Sequence, residues 1–149
     1  PSQDMKRRLA QKLNGRPHFV PLAPQAIAIL KELQPLTGHG RYVFPSLRTG
    51  ERAMSDNTIN AALRRMGFAS DEMSAHGFRA MARTLMIERI PGISADVIEA
   101  QLAHGKSGPL GAAYDRAEFM EQRRRMMSDW ADYLDKLRMG AEVIQFKKA

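Results

Sequence analysis

From Ala23 to Met139, apolar residues recur at intervals of three and four, which is the spacing of one face of an α-helix. Pro and Gly interrupt this pattern, so it predicts about six helices in sequence. Five of them have predicted bounds, at residues 23–34, 55–66, 74–90, 94–105 and 117–139, with serines capping the second, third and fourth. The residues predicted to face the core include Ile27, Leu63, Met66, Phe78, Met86, Val97, Ile98 and Met126.

Asn14-Gly15 is a strong local signal for a β-hairpin, because both residues tolerate positive φ. It predicts strands over about Leu9–Leu13 and Arg16–Val20, the second closed by Pro21. The predicted fold class is mainly α with a small N-terminal β-hairpin. We predict three parts: the hairpin at residues 1–22, a helical core at residues 23–139 and a tail at residues 140–149.

The chain is basic: 23 Lys and Arg residues against 16 Asp and Glu give 149 residues a net charge of +7. This excess favours a polyanionic partner, nucleic acid first and an acidic membrane surface second. No apolar stretch is long enough to span a bilayer, and the polar start does not read as a secretory signal. The absence of cysteine excludes disulfides and favours a cytoplasmic location. The start at Pro1, without a capped opening element, suggests a fragment of a longer polypeptide.

Four residues have side chains suited to work on a phosphate: His76, Arg79, His104 and Tyr114. His76 and Arg79 are three apart near a predicted helix start, where they share a face and backbone N–H groups favour an anion. His104 and Tyr114 flank a Gly- and Pro-containing break that can return the tyrosine towards the histidine. A metal site at the two histidines is disfavoured, because no third ligand has suitable local spacing. We expect no cofactor.

Breaking a phosphodiester without a metal requires a nucleophile, a clamp for the non-bridging oxygens and a proton for the leaving oxygen. The planar guanidinium of arginine pairs with phosphate oxygens, and histidine donates to them or moves protons. Tyrosine can attack phosphorus and form a covalent ester. A lysine in a basic pocket can supply the proton, and the predicted hairpin contains five basic residues: Lys6, Arg7, Arg8, Lys12 and Arg16.

The chain resembles the tyrosine recombinases, specifically the integrases of phage satellites and genomic islands. The matching pieces are 76–84, 98–104 and 112–116, with further similarity over 16–22, 123–127 and 130–134. An H-x-x-R pattern alone is weak evidence for this family. H-x-x-R followed by L-A-H, with a tyrosine ten residues after that histidine, is much more specific evidence.

The resemblance implies a role for each of these residues. Arg79 is the second catalytic arginine and clamps the scissile phosphate. His76 is a general base or a phosphate hydrogen-bond partner, and His104 donates to a non-bridging oxygen. Tyr114 is the nucleophile, leaving a 3′-phosphotyrosyl link and a free 5′-hydroxyl.

Two catalytic groups of the family are less clearly matched. The general acid of the family is a hairpin lysine; Lys12 lies nearest to its place, and Lys6 is the rival. The first catalytic arginine, which precedes the hairpin in the family, has no counterpart. The implied fold is therefore a recombinase catalytic domain, of the DNA breaking-rejoining type, truncated at its N-terminus. The isolated chain is expected to be inactive.

The resemblance also implies partners. These are double-stranded DNA attachment sites, further protomers in a tetrameric synapse, and accessory DNA-bending or directionality proteins, with no membrane. Two alternatives stay open: a topoisomerase of type IB, and a non-catalytic DNA-binding or assembly module. Tyr42 and Tyr133 are weaker candidates for the nucleophile, since one lies in an apolar run and the other on a predicted core face.

Overall fold

The computed structural model of the chain describes residues 18–104 and 119–140. Five helices occur in these residues: α1 (Pro24–Thr37), α2 (Thr58–Arg65), α3 (Gly77–Arg89), α4 (Ala95–Gln101) and α5 (Met120–Met139). The prediction of a mainly α-helical chain is therefore confirmed for the described part. No helix there is both long enough and apolar enough to cross a membrane.

The predicted hairpin lies outside the described residues except for its last three, 18–20. Those three adopt no regular secondary structure, so the structure gives the hairpin no support. Pairing of the β type occurs elsewhere, as an isolated antiparallel bridge between Pro45 and Ala53. Hydrogen bonds flank the bridge on both sides, from Ser46 N–H to Arg52 O (2.7 Å) and from Met54 N–H to Phe44 O (2.8 Å).

Helix α1 extends beyond the end predicted for it. It includes Pro35 and ends at Thr37, three residues later than Gln34. Pro35 has no backbone N–H, so the last turn of α1 lacks the hydrogen bond that this residue would donate to the carbonyl of Lys31. The turn is closed by Gly38 N–H, which donates to Gln34 O at 2.7 Å.

The three predicted serine caps have different outcomes. Ser94 caps α4, since its Oγ accepts a hydrogen bond from Val97 N–H at 3.4 Å. Ser74 Oγ accepts from Gly77 N–H at 3.0 Å, although α3 itself begins only at Gly77. The prediction for Ser55 is wrong: its carbonyl closes a turn with Thr58 N–H, and α2 begins three residues later than predicted.

The chain divides into two compact units. The first is Pro24–Pro91, which contains α1, α2 and α3. The described residues of the second are 18–23, 92–104 and 119–140, which include α4 and α5. The predicted division into hairpin, helical core and tail stays a prediction.

In the Pro24–Pro91 unit, the buried apolar side chains are those of Leu63, Met86 and Ile90. Leu63 and Met86 confirm the apolar faces predicted for α2 and α3. Met66 and Phe78, also predicted to face inward, are exposed. Met66 is the residue that follows the last turn of α2, and Phe78 lies in the first turn of α3, so neither lies in the middle of its helix. Ile27 is exposed too, and α1 has no buried residue.

In the second unit, helices α4 and α5 pack against each other. Val97 and Ile98 of α4 and Met126 of α5 are buried, as the helical periodicity predicts. Ala23 is buried in the same unit.

Candidate active site

His76 and Arg79 lie together at the N-terminal end of α3. His76 is the residue immediately before the helix, and its carbonyl accepts a hydrogen bond from Arg79 N–H at 3.0 Å. Both residues are exposed. The first turn of a helix has backbone N–H groups without helical partners and the positive end of the helix dipole. A cationic side chain there adds to a local field that attracts a phosphate.

The segment before α3 is held by two side chains of α2. Asn60 Oδ1 accepts a hydrogen bond from Ala75 N–H at 2.8 Å, and the Arg64 guanidinium donates to Met73 O. Asn60 and Arg64 are four residues apart and therefore share one face of their helix. The position of His76 thus depends on α2 as well as on its own helix.

Gly77 allows this segment to lie close to the start of α3. A Cβ atom at residue 77 would lie 3.0 Å from Met73 Sδ and 3.5 Å from Ser74 Oγ. The first of these distances is shorter than an ordinary van der Waals contact, so any larger residue would push the Met73 side chain aside. The glycine of the H-G-F-R motif therefore has a packing role next to His76.

His104 follows the C-terminal end of α4, in a Schellman turn. Its N–H donates to Glu99 O at 3.0 Å, and the Ala103 N–H donates to Ala100 O at 3.2 Å, which are the two bonds that define this motif. Ala103 adopts the left-handed conformation that the motif requires, with φ of 55°. The helix was predicted to end at Gly105. It ends earlier, at Gln101, because Ala103 adopts the left-handed conformation that stops the helix.

The turn brings the His104 ring against the side chain of Glu99. His104 Nδ1 lies 2.5 Å from Glu99 Oε2, with the histidine side chain 48% exposed and the glutamate side chain 29% exposed. Sequence reasoning did not identify Glu99. Glu99 could have been found from its position: it lies on a predicted helix, five residues before His104.

A buried arginine in α5 is the second feature that sequence reasoning missed. Arg123 is only 2% exposed, and its Nε donates to Gln101 Oε1 at 2.8 Å. Its Nη2 donates to Phe19 O, and His18 Nε2 lies 3.2 Å from Gln101 O. Arg123 is three residues before the buried Met126, so the helical periodicity places it on the inner face of α5. This cluster joins residues 18–19 to the end of α4.

The predicted site residues are therefore distributed as follows. His76 and Arg79 lie together in the Pro24–Pro91 unit, and His104 lies in the second unit. Tyr114, Lys12 and its rival Lys6 lie outside the residues that the structure describes. Within residues 18–104 and 119–140, no cluster of three or more His, Cys, Asp or Glu side chains could hold a metal ion.

The two alternative tyrosines make aromatic contacts. Tyr133 stacks on Trp130, with 5.6 Å between ring centroids and 26° between ring planes. The Arg41 guanidinium lies over the ring of Tyr42, 5.5 Å from its centroid. Both tyrosines are half-buried. These contacts give each of them a packing role.

The chain is homologous to the integrases of phages and prophages, which confirms the resemblance of its motifs. Over 143 residues, or 96% of the chain, it is 41% identical to the prophage integrase IntA of Escherichia coli K12. It is 43% identical over 121 residues to the integrase of Enterobacteria phage P4, and 34% identical over 128 residues to that of Shigella phage Sf6.

These similarities cover most of this chain but a limited part of each relative. The matches span 34%, 27% and 32% of the IntA, P4 and Sf6 proteins, so the chain spans about a third of the length of the curated relatives that it matches. No protein-family model matches the sequence. No solved structure matches it either.

Proposed function

We propose that this chain is the C-terminal catalytic part of an integrase that cuts and rejoins double-stranded DNA at specific attachment sites. The observation that supports this most directly is that His76 and Arg79, both exposed, lie together at the N-terminal end of α3. It occurs in a chain that is homologous to phage and prophage integrases. The net charge of +7 suits a DNA substrate.

In the proposed reaction, the phenolic oxygen of Tyr114 attacks the phosphorus of the scissile phosphodiester. The bond between tyrosine oxygen and phosphorus forms as the bond from phosphorus to the 5′ oxygen breaks, so the strand ends in a 3′-phosphotyrosyl ester. The leaving 5′ oxygen takes a proton from Lys12 or Lys6. Attack by a 5′-hydroxyl on the ester reverses these steps and rejoins the strand.

The charge that develops on the non-bridging oxygens needs fixed positive groups. Arg79 supplies a planar guanidinium that pairs with two phosphate oxygens at once, beside the positive end of the α3 dipole. His76 takes the phenolic proton or donates to the phosphate, and His104 donates to a non-bridging oxygen. Donors that are already oriented towards developing charge are worth more than the same groups free in water.

The chain requires further parts for this activity. A first catalytic arginine would come from residues upstream of this chain in the full-length protein, and so would the domain that grips the other face of the DNA. Synapsis would involve further protomers, with accessory DNA-bending or directionality proteins, in the cytoplasm. This chain alone is expected to form no covalent intermediate.

The test uses the full-length protein and a nicked suicide duplex, which traps the covalent intermediate because the cut strand cannot be rejoined. The wild-type protein should give a covalent protein–DNA band. Tyr114→Phe should bind the same duplex and give no such band, because only the attacking oxygen has been removed. A band that persists in Tyr114→Phe would redirect the assignment to Tyr42 or Tyr133.

The same experiment separates the enzymatic proposal from a non-catalytic DNA-binding module. A module that only binds would shift the duplex on a native gel, and it would leave no covalent band with any of the three tyrosines intact. Relaxation of supercoiled DNA without exchange between partners would instead favour a topoisomerase of type IB.

A further inference from the structure

We propose that Glu99 is a positioning residue for His104: its carboxylate holds Nδ1 of the ring and leaves Nε2 to meet the phosphate. This inference rests on the proposed function, because it concerns how one of the proposed phosphate ligands is oriented. Glu99 itself is not proposed to touch the DNA.

The backbone geometry brings the two side chains together. The Schellman turn joins His104 N–H to Glu99 O at 3.0 Å, so the histidine lies directly over the last turn of α4. The side chains then meet at 2.5 Å between Nδ1 and Oε2. Two contacts between the same two residues, one of backbone and one of side chains, fix both the place and the direction of the ring.

The chemistry of the carboxylate determines which nitrogen holds the proton. An ionised carboxylate only accepts hydrogen bonds, so Nδ1 of His104 must be the donor in this contact. The ring nitrogen that remains is Nε2. It can donate to a phosphate oxygen only when the ring carries both protons, so His104 would act on the phosphate as an imidazolium, with Glu99 offsetting its charge.

The exposure of His104 and Glu99 makes it possible to test a positioning role for Glu99 apart from a role in stability. The two side chains are 48% and 29% exposed, and ion pairs at such sites contribute little to stability because water and salt screen them. Loss of Glu99 should therefore leave the folded state nearly as stable as before. Carboxylates that orient a functional histidine nevertheless affect its chemistry strongly, as they do at metal sites.

The experiment measures single-turnover formation of the covalent adduct by the full-length protein on the suicide duplex. Glu99→Ala should slow this step by up to about tenfold, and by no more than His104→Ala does, by analogy with the loss of carboxylates that orient metal-bound histidines. Glu99→Gln should recover part of the rate, since an amide oxygen still accepts from Nδ1–H. Glu88→Gln is the matched control: it removes an exposed glutamate charge from α3 and should leave the rate unchanged.

A double-mutant cycle then tests whether Glu99 acts through His104. If it does, Glu99→Ala combined with His104→Ala should be no slower than His104→Ala alone. In the wild type and in Glu99→Ala, the 15N shifts of labelled His104 with a neutral ring report which nitrogen holds the proton. They should place it on Nδ1 in the wild type and lose that preference in Glu99→Ala. Additive losses in the cycle, or unchanged 15N shifts, would overturn the positioning role.

The remaining outcomes separate this inference from the proposed function. A wild-type protein that forms no adduct would overturn the proposed function, and with it any catalytic part for Glu99. Equal adduct formation by the wild type and by Glu99→Ala would overturn the role of Glu99 alone.

Discussion

The start of α3 and the end of α4 present candidate residues in different ways. His76 follows a segment that Asn60 and Arg64 hold from another helix, at sequence separations of 15 and 9 residues. His104 lies in a turn whose bonds all join residues within five positions of each other. One region therefore depends on how two helices pack, and the other depends mainly on its own backbone.

This difference has a consequence for substitutions around the site. Changes in α2 should displace His76 although they do not touch it, because they release the segment before α3. Changes around α4 should affect His104 only when they alter the turn or its glutamate. The two regions can therefore be perturbed separately, and the expected effects range from loss of rate to small changes in stability.

Between these two regions, the largest effect is expected at Arg79. Arg79→Lys in the full-length protein should slow adduct formation by roughly a hundred- to thousandfold, because an ammonium cannot reproduce the two-point contact with phosphate oxygens. His104→Ala should slow it by only about tenfold, the value of one hydrogen bond among several. Single-turnover kinetics on the suicide duplex measure both rates.

The control for this comparison is Arg89→Lys, an identical change at the other end of α3 that should leave the rate near that of the wild type. A larger loss at His104 than at Arg79 would reverse the ranking. The phosphate clamp would then have to be sought at the end of α4.

The next effect concerns Arg123, whose side chain donates a hydrogen bond to Gln101 at the end of α4. Arg123→Met should lower the free energy of unfolding by about 2–4 kcal/mol, because Gln101 Oε1 and Phe19 O lose a buried charged donor. Urea denaturation of the chain, followed by circular dichroism, measures the change.

Arg125→Met is the matched control, since Arg125 lies on the same helix but its side chain is 87% exposed. The control should change the free energy of unfolding by less than about 0.5 kcal/mol. Equal effects of the two substitutions would show that the buried cluster contributes no more than a surface charge.

A smaller effect is expected where α2 holds the segment before α3. Asn60→Ala should destabilise the chain by about 1–2 kcal/mol, because Ala75 N–H loses its acceptor. It should also slow adduct formation by the full-length protein, since His76 follows directly. Asn57→Ala is the control, because Asn57 makes no side-chain capping bond and should matter little. A normal adduct rate in Asn60→Ala would mean that the bond from Ala75 N–H to Asn60 is not needed to position His76.

The sequence was sufficient to predict what depends on local pattern. Apolar spacing identified the helices and the buried residues Leu63, Met86, Ile98 and Met126, and Ser94 was recognisable as a cap. The motif spacing identified the family to which the chain is homologous. His76 and Arg79 do share the start of one helix, as their spacing of three indicated.

The sequence was insufficient where structure depends on contacts between distant residues or on an exception to a local rule. Nothing in the pattern of α2 showed that Asn60 and Arg64 would hold residues 73–75. Arg123 is the first of three consecutive arginines, and a charged residue is rarely buried, yet the Arg123 side chain is buried next to α4. The turn at Ala103 was missed because glycine is the usual residue at that position.

The smallest expected effect concerns that turn, and it compares α4 with a second helix that ends in the same way. After α2, Phe68 N–H donates to Leu63 O and Gly67 N–H donates to Arg64 O, both at 3.1 Å, so this helix also ends in a Schellman motif. Its left-handed residue is Gly67, with φ of 97°, whereas α4 uses Ala103 with φ of 55°.

An L-residue in the left-handed region costs about 1–2 kcal/mol relative to the right-handed one, and glycine avoids most of that cost. The two substitutions should therefore have opposite signs. Gly67→Ala should destabilise the chain by about 1 kcal/mol, and Ala103→Gly should stabilise it by up to about 1 kcal/mol. Among the described residues no atom lies within 4 Å of a Cβ built at residue 67, so backbone conformation alone would account for that loss. The shift of the urea midpoint measures both effects. Destabilisation by Ala103→Gly would mean that the alanine methyl group contributes packing worth more than the strain it causes, and the turn before His104 would then be held by side chains as well as by its backbone.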